Sequence, residues 1–199
     1  MPCRHGSGQG RAGIEGCTKA LHITQFREMD VMDTTRGSEG HPALTDVQTG
    51  LPNRLHFTTV FEVIFAAGSR GVPVTLLLLE IDGFSEWAGT TETSEVERVL
   101  QSVGDALSHL LRQTDLFART EESCFSICLL DCNIAGAVLV ADRIDGALDS
   151  LRRGTELGFS MGGAAFDVQM KRPDELLEAA EKALRSAQGK GTNQMEFSR

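Results

Sequence analysis

Cys124, Cys128 and Cys132 recur at every fourth position, and regularly spaced thiols are a first place to look for a metal. Zinc ligands, however, come as C-x2-C pairs or with histidines beside them. Here His5, His22, His41, His56 and His109 are scattered, with no pair four residues apart. The segment around the cysteines reads as a strand on which Cys124 and Cys128 share one face, so burial is the expected role of these small thiols. Acids stand at two further points. Glu80 and Asp82 close the apolar run from Val72 to Ile81, and Glu121 and Glu122 sit side by side between two short apolar segments.

The elements that must carry these residues are legible in the periodicity. Leu55, Phe57, Val60, Phe61, Ile64 and Phe65 recur at helical spacing after Pro52, with Gly68 expected as the C-cap. Val72 to Ile81, β-branched and leucine-rich, predicts a buried strand with acids at its exit. Ser94 and Glu97 form a capping-box pattern ahead of Val96, Val99, Leu100, Val103, Leu107, Leu110 and Leu111. Asp115–Arg119 and Phe125–Leu130 predict two strands joined by an acidic turn. Asn133 is placed to cap a helix whose apolar face is Val138, Ala141, Ile144, Leu148 and Leu151. Leu157, Phe159, Met161 and Gly163 alternate as a strand, Pro173 to Gly189 bounds a last helix, and Met195 to Phe197 predicts a short strand. Helices and strands mixed in this order, with a hairpin in the middle, predict an α/β fold around a sheet that is at least partly antiparallel.

A chain of 199 residues and 21.5 kDa, 41% hydrophobic and 24% charged, holds one domain plus an appendage and is not fibrous, collagenous or wholly disordered. No window approaches the roughly 18 uninterrupted apolar residues of a membrane span. Residues 1–43 carry seven glycines and five basic against five acidic residues, and predict a flexible leader. The domain is expected over 44–199, where 14 basic and 23 acidic residues account for the whole net charge of −9. Such a domain repels phosphate backbones, so nucleic acid and anionic membranes are not its expected partners, although a small anion can still bind through a few well-placed cations. An odd cysteine count and the lack of a secretory h-region give the cytoplasm as the expected location.

The stretch Asp46-Val-Gln-Thr-Gly-Leu-Pro-Asn-Arg54 closely resembles the opening motif of GGDEF domains, the catalytic modules of diguanylate cyclases. Leu77 to Phe84 (L-L-L-E-I-D-G-F) is similar to the family's strand ending in D-I-D-x-F. Arg112 to Phe125 occupies the place of its R-x-x-D and signature hairpin, Ser160 to Ala164 that of its S-I-G-V-A strand, and Ala180 to Asn193 its C-terminal motif. The resemblance covers about 155 residues in the family's order. It implies a three-layer, nucleotidyl-cyclase palm-like (ferredoxin-like) domain with a mixed central sheet flanked by helices. It also implies a chemistry in which two domains, each holding one GTP, meet face to face as a homodimer. The 3′-hydroxyl of one nucleotide then attacks the α-phosphate of the other, assisted by two Mg2+ ions on strand-end carboxylates.

Set against that pattern, the reacting positions are altered. Between Arg119 and Phe125 the signature G-G-D-E-F is replaced by Glu121, Glu122, Ser123, Cys124 and Phe125. Both glycines and both acids are gone, so no catalytic residue is expected at these degenerate positions. Glu80 replaces the metal-binding aspartate and is the one metal candidate if the domain were active, while Asp82 matches the family. Base-reading positions correspond to Ala88 and Glu97, phosphate-side lysines to Ser85 and Gln188, and the closing arginine to Thr192. The two glutamates are read as a solvated turn that would repel a triphosphate.

What survives is the family's product-binding, inhibitory-site motif, Arg112-Gln-Thr-Asp115, with Arg143 on the following helix. A guanidinium fork reaches phosphate or guanine oxygens bidentately, and a carboxylate accepts from guanine N–H groups. The bland alternative for the pair is structural: Arg112 in a helix's last turn, complementing its dipole, and Asp115 opening a strand. The expected function is a catalytically inactive GGDEF domain acting as a cyclic di-GMP receptor or a regulatory interaction module. It needs no cofactor and has cyclic di-GMP and a protein as expected partners. The alternative is a divergent cyclase, with Mg2+, making cyclic di-GMP from two GTP.

Overall fold

The computed structural model describes residues 42–198. The leader expected over 1–43 lies outside them but for its last two residues. Five strands, β1 (Val74–Asp82), β2 (Leu116–Arg119), β3 (Cys124–Leu130), β4 (Gly158–Ala165) and β5 (Met195–Phe197), form one sheet in the order β2-β3-β1-β4-β5. β1 pairs antiparallel with both β3 and β4, β2 pairs antiparallel with β3, and β5 joins β4 in parallel. The first four strands give the 4-1-3-2 order of a β-α-β-β-α-β unit, so the palm-like, ferredoxin-like expectation holds, with β5 added at one edge.

Successive β1 side chains point to opposite faces and both faces are buried, as its apolar run from Val74 to Leu79, broken only by Thr75, requires. Leu77, Leu79 and Ile81 pack under α3 (Thr93–Ser108) and α4 (Ile134–Thr155), against Val99, Leu100, Val103, Ala141, Ile144 and Leu148. Val74, Leu76 and Leu78 pack on the other side under α1 (Arg54–Gly68) and α5 (Pro173–Gln188), against Phe57, Phe61, Leu176, Ala180 and Leu184. Helix–sheet–helix layering follows directly. A close approach on β4 sets the seat of α5: a Cβ on Gly162 would lie 2.1 Å from the Leu184 backbone nitrogen.

Several local expectations are corrected. α1 is capped at its start by the Asn53 side chain, which accepts from the His56 N–H at 3.1 Å, but Gly68, expected as the C-cap, is its last residue and Ser69 the C-cap. Gly68 instead makes room for the Phe166 ring, which a Cβ would meet at 2.8 Å. The capping box does not form. α3 begins at Thr93 after Glu92, with no side-chain cap, and Ser94 lies inside the first turn, where Glu95 pairs with Arg98 instead. Asn133 caps α4 through the Gly136 N–H at 2.9 Å, yet Val138 is exposed and Ala137 takes its place on the apolar face. A short helix not anticipated, α2 (Phe84–Thr90), follows Gly83, whose φ of 69° turns the chain off the end of β1.

Candidate functional site

Because Glu80 and Asp82 are two apart at the end of β1, they share a face, and they line a cavity of about 470 Å3 together with Gly83, Arg185, Gln188, Gly189, Gly191 and Thr192. Neutral donors already hold both carboxylates. Gln188 Nε2 donates to Glu80 Oε2 at 2.9 Å, and Ser123 adds a second side-chain hydrogen bond to Glu80. Asp82 Oδ2 accepts from Ser160 Oγ at 2.8 Å and from the Asn193 N–H at 3.1 Å. Burial pushes the Glu80 carboxyl up; the Gln188 bond opposes this, and the nearby Asp82 charge adds to it. Burial likewise raises Asp82, against the pull of the Asn193 and Ser160 donors. As a donor set this does not fit two Mg2+ ions, which want several hard oxygens in near-octahedral array. It offers two carboxylates, of which Glu80 Oε2 and Asp82 Oδ2 already accept protein donors, and the neutral Ser123. Among the described residues no group of three or more His, Cys, Asp and Glu is arranged to hold a metal ion.

Arg185 is the residue in this cavity that sequence reasoning missed. It sits one helical turn before Gln188 on α5, so both reach the same cavity, and its Nη1 lies 3.4 Å from Glu181 Oε2. The signal available was that i, i+3 spacing. Of the positions aligned to phosphate and base contacts, Gln188 and Thr192 line the cavity, whereas Ser85, Ala88 and Glu97 do not.

The β2–β3 hairpin carries the altered signature. Its turn, residues 121–123, is closed by the Thr120 and Glu121 N–H groups donating to the Cys124 carbonyl, at 3.0 and 3.3 Å, and the Ile81 N–H donates to the Ser123 carbonyl at 3.0 Å, fastening the turn to β1. No residue from Glu121 to Cys124 has a positive φ, so the turn has no need of glycine. Glu122 is exposed as expected, but Glu121 is not a free solvated acid: it is ion-paired with Arg54, whose Nε also donates to the Thr120 carbonyl at 3.0 Å. Arg119, 7% exposed, ties the hairpin to the opening motif. Its Nη1 donates to Asp46 Oδ1 at 3.1 Å and to Gln48 Oε1 at 2.6 Å, and its Nη2 to the Glu122 carbonyl at 2.7 Å. Burial works to raise the Asp46 carboxyl, but the Thr49 hydroxyl and the Arg119 guanidinium outweigh it and hold the group below the usual value.

A second cavity, of about 480 Å3, lies at the other end of β3, where the loop from α3, the β3–α4 connection and the first turns of α4 meet. Arg112, Asp115 and Arg143, separated by up to 31 positions in sequence, all line it. Arg112 is not in a helix's last turn, since α3 ends at Ser108. It lies in a tight turn in which its N–H donates to Asp115 Oδ2 and the Asp115 N–H to its carbonyl, both at 3.0 Å. Its guanidinium has no hydrogen-bond or ion-pair partner among the described residues, and Arg143 makes one long contact, Nη2 to the Leu110 carbonyl at 3.4 Å. Both arginines are exposed. Asp131 and Cys132 complete one wall. The Cys132 thiol is raised first by burial and then by the Asp115 charge, lowered by Arg112 and raised again by Asp131, so these charges converge on one point. Cys124 and Cys128 lie in the core, as their strand pattern predicts, and burial pushes Cys128 far up.

Comparison with known proteins places this geometry. The family described as "Diguanylate cyclase, GGDEF domain" matches residues 43–194, and the chain belongs to the GGDEF domain family. It is 28% identical over 181 residues to the response regulator PleD of Caulobacter vibrioides, a match covering 85% of this chain and 40% of PleD. To the diguanylate cyclase DosC of Escherichia coli (strain K12) it is 27% identical over 166 residues, covering 79% of this chain and 35% of DosC. The chain thus spans less than half the length of these curated relatives. The fold is that of the GGDEF domain of DgcB from Caulobacter crescentus, solved in complex with c-di-GMP. The TM-score is 0.71 at 19% identity, covering 83% of this chain and 99% of that one. No helix among the described residues is long and apolar enough to cross a membrane.

Proposed function

We propose that this chain is a GGDEF domain of cyclic di-GMP signalling that does not synthesise the dinucleotide but binds it, at the cavity lined by Arg112, Asp115 and Arg143. The observation that carries this reading is the convergence of those three side chains on one cavity, with the Arg112 guanidinium uncommitted. An arginine fork meets phosphate or guanine oxygens bidentately, and a carboxylate accepts from guanine N–H groups, which is the chemistry a cyclic guanine dinucleotide presents. The loss of turnover is supported by the hairpin, where Ser123 and Cys124 offer no carboxylate and Glu121 is ion-paired to Arg54. A receptor of this kind acts by changing its contacts with a protein partner or a second copy of itself. Isothermal titration with cyclic di-GMP is expected to give saturable heat with the parent chain and none with Arg112→Ala; a parent chain that gives no heat overturns the reading.

One observation favours the cyclase alternative: Arg185 puts a cation in the strand-end cavity beside Glu80 and Asp82, where a triphosphate would need one. Incubation with GTP and Mg2+ decides between the two. The receptor reading expects no cyclic di-GMP, and product in excess of the protein would establish the cyclase.

A further inference from the structure

The geometry points to Asp131 as a second base-reading carboxylate of the arginine cavity, one that makes the site selective for a cyclic dinucleotide with two guanines over one in which an adenine replaces a guanine. The inference rests on the receptor reading above and deepens it. Four charged side chains line the cavity, Arg112, Arg143, Asp115 and Asp131, so the wall is formally neutral. A ligand with two phosphates gains nothing from the Asp131 charge, which must be offset by donors on the ligand. Asp115 is already committed in part, because its Oδ2 accepts the Arg112 N–H at 3.0 Å. Asp131, exposed on the same wall, has no hydrogen-bond or ion-pair partner among the described residues, so both its oxygens are available. Its backbone is held at φ 51°, a left-handed conformation that few residues other than glycine adopt, aspartate and asparagine being the tolerated ones.

An ionised carboxylate is an acceptor only. Guanine presents two adjacent donors on one edge, N1–H and the N2 amine, and satisfies both oxygens at once. Adenine presents an N1 lone pair beside its N6 amine, which leaves one carboxylate oxygen facing a lone pair. Two carboxylates, each meeting one base, therefore favour two guanines. Asparagine reverses the logic at one position: its carbonyl accepts from the adenine amine while its own amide donates to adenine N1, and it keeps the shape and the tolerance for positive φ that Asp131 needs.

The test is isothermal titration of the parent chain and of Asp131→Asn with two probes, cyclic di-GMP and the mixed cyclic dinucleotide of one guanosine and one adenosine, with Arg112→Ala as the site control. Losing one hydrogen bond to a charged group is worth about ten- to a hundredfold in affinity. The parent is expected to prefer cyclic di-GMP by about that factor, and Asp131→Asn to bring the preference near one or past it, with a melting temperature close to the parent's. If Arg112→Ala abolishes binding but the preference is the same in Asp131→Asn as in the parent, the assignment of Asp131 is overturned and the receptor reading stands. A parent chain that binds neither probe overturns both.

Discussion

Replacing Arg119 by methionine keeps the aliphatic stem of the side chain but strips three hydrogen-bonded partners at once: the Asp46 carboxylate, the Gln48 amide oxygen and the Glu122 carbonyl. The ion pair is well buried, with side-chain exposures of 6% for Arg119 and 21% for Asp46. Breaking a buried pair from one side costs about 3–5 kcal/mol, because the remaining charge is left without its partner. Two features lower that figure here. Asp46 keeps the Thr49 hydroxyl and N–H as donors, at 2.6 and 2.9 Å, and Arg119 Nε is itself buried without a partner, a cost that the substitution removes. A loss of about 2–3 kcal/mol is therefore expected, or roughly 5–10 °C in Tm for a domain of this size. Urea unfolding followed by far-ultraviolet circular dichroism measures it, with Glu121→Ala as the comparison. That variant removes only the Arg54–Glu121 pair, whose side chains are 40% and 22% exposed, and such pairs are worth about 0–1 kcal/mol. Acid provides the second arm. Since Asp46 is held below its unfolded value, the stability it contributes is present above the unfolded value near 3.8 and lost as pH falls through the lower folded value. Arg119→Met should flatten that acid limb. Equal stability losses in Arg119→Met and Glu121→Ala, with the acid limb unchanged, would refute the view that Arg119 fastens the hairpin to the opening motif.

Glu80→Gln should stabilise the domain at neutral pH, because burial raises the Glu80 carboxyl, so its contribution is full below the unfolded value near 4.5 and is lost as pH rises through the folded one. Comparing the Tm of both proteins at pH 5 and pH 8 reads this as a gap that widens toward pH 8. Ser123→Asp alone should not restore synthesis, since Gln188, Ala88 and the two hairpin glutamates remain; cyclic di-GMP formed from GTP and Mg2+ by that single variant would count against the account of the hairpin. Gly162→Ala should cost about 1–3 kcal/mol or more, because its Cβ would meet backbone of α5 rather than a side chain that can swing away, and a Tm within two degrees of the parent would show that α5 shifts freely.

Much of the fold was legible because period and burial are local properties of the chain. The leucine-rich apolar run of β1, the Pro173 start of α5 and the Asn133 cap each declare themselves within a few residues, and the structure has all three. The failures were local too. The Ser94 and Glu97 pattern has the right letters, but α3 starts at Thr93, which puts Ser94 inside the first turn. α2 was missed because seven residues around Trp87 show too little of a helical face to register.

The acids at the exit of β1, the altered hairpin and the spacing of Arg112 and Asp115 were determined by the amino-acid sequence itself, since each depends on neighbours within one element. What surrounds them was decided only when the sheet closed. Gln188 reaches Glu80 across 108 positions, and Asp46 reaches Arg119 across 73. Arg185 enters the strand-end cavity, and Asp131 joins the arginines, only through the seating of α5 and α4 on the sheet. Strand register and helix packing set those meetings, and both are properties of the whole core rather than of any stretch of residues.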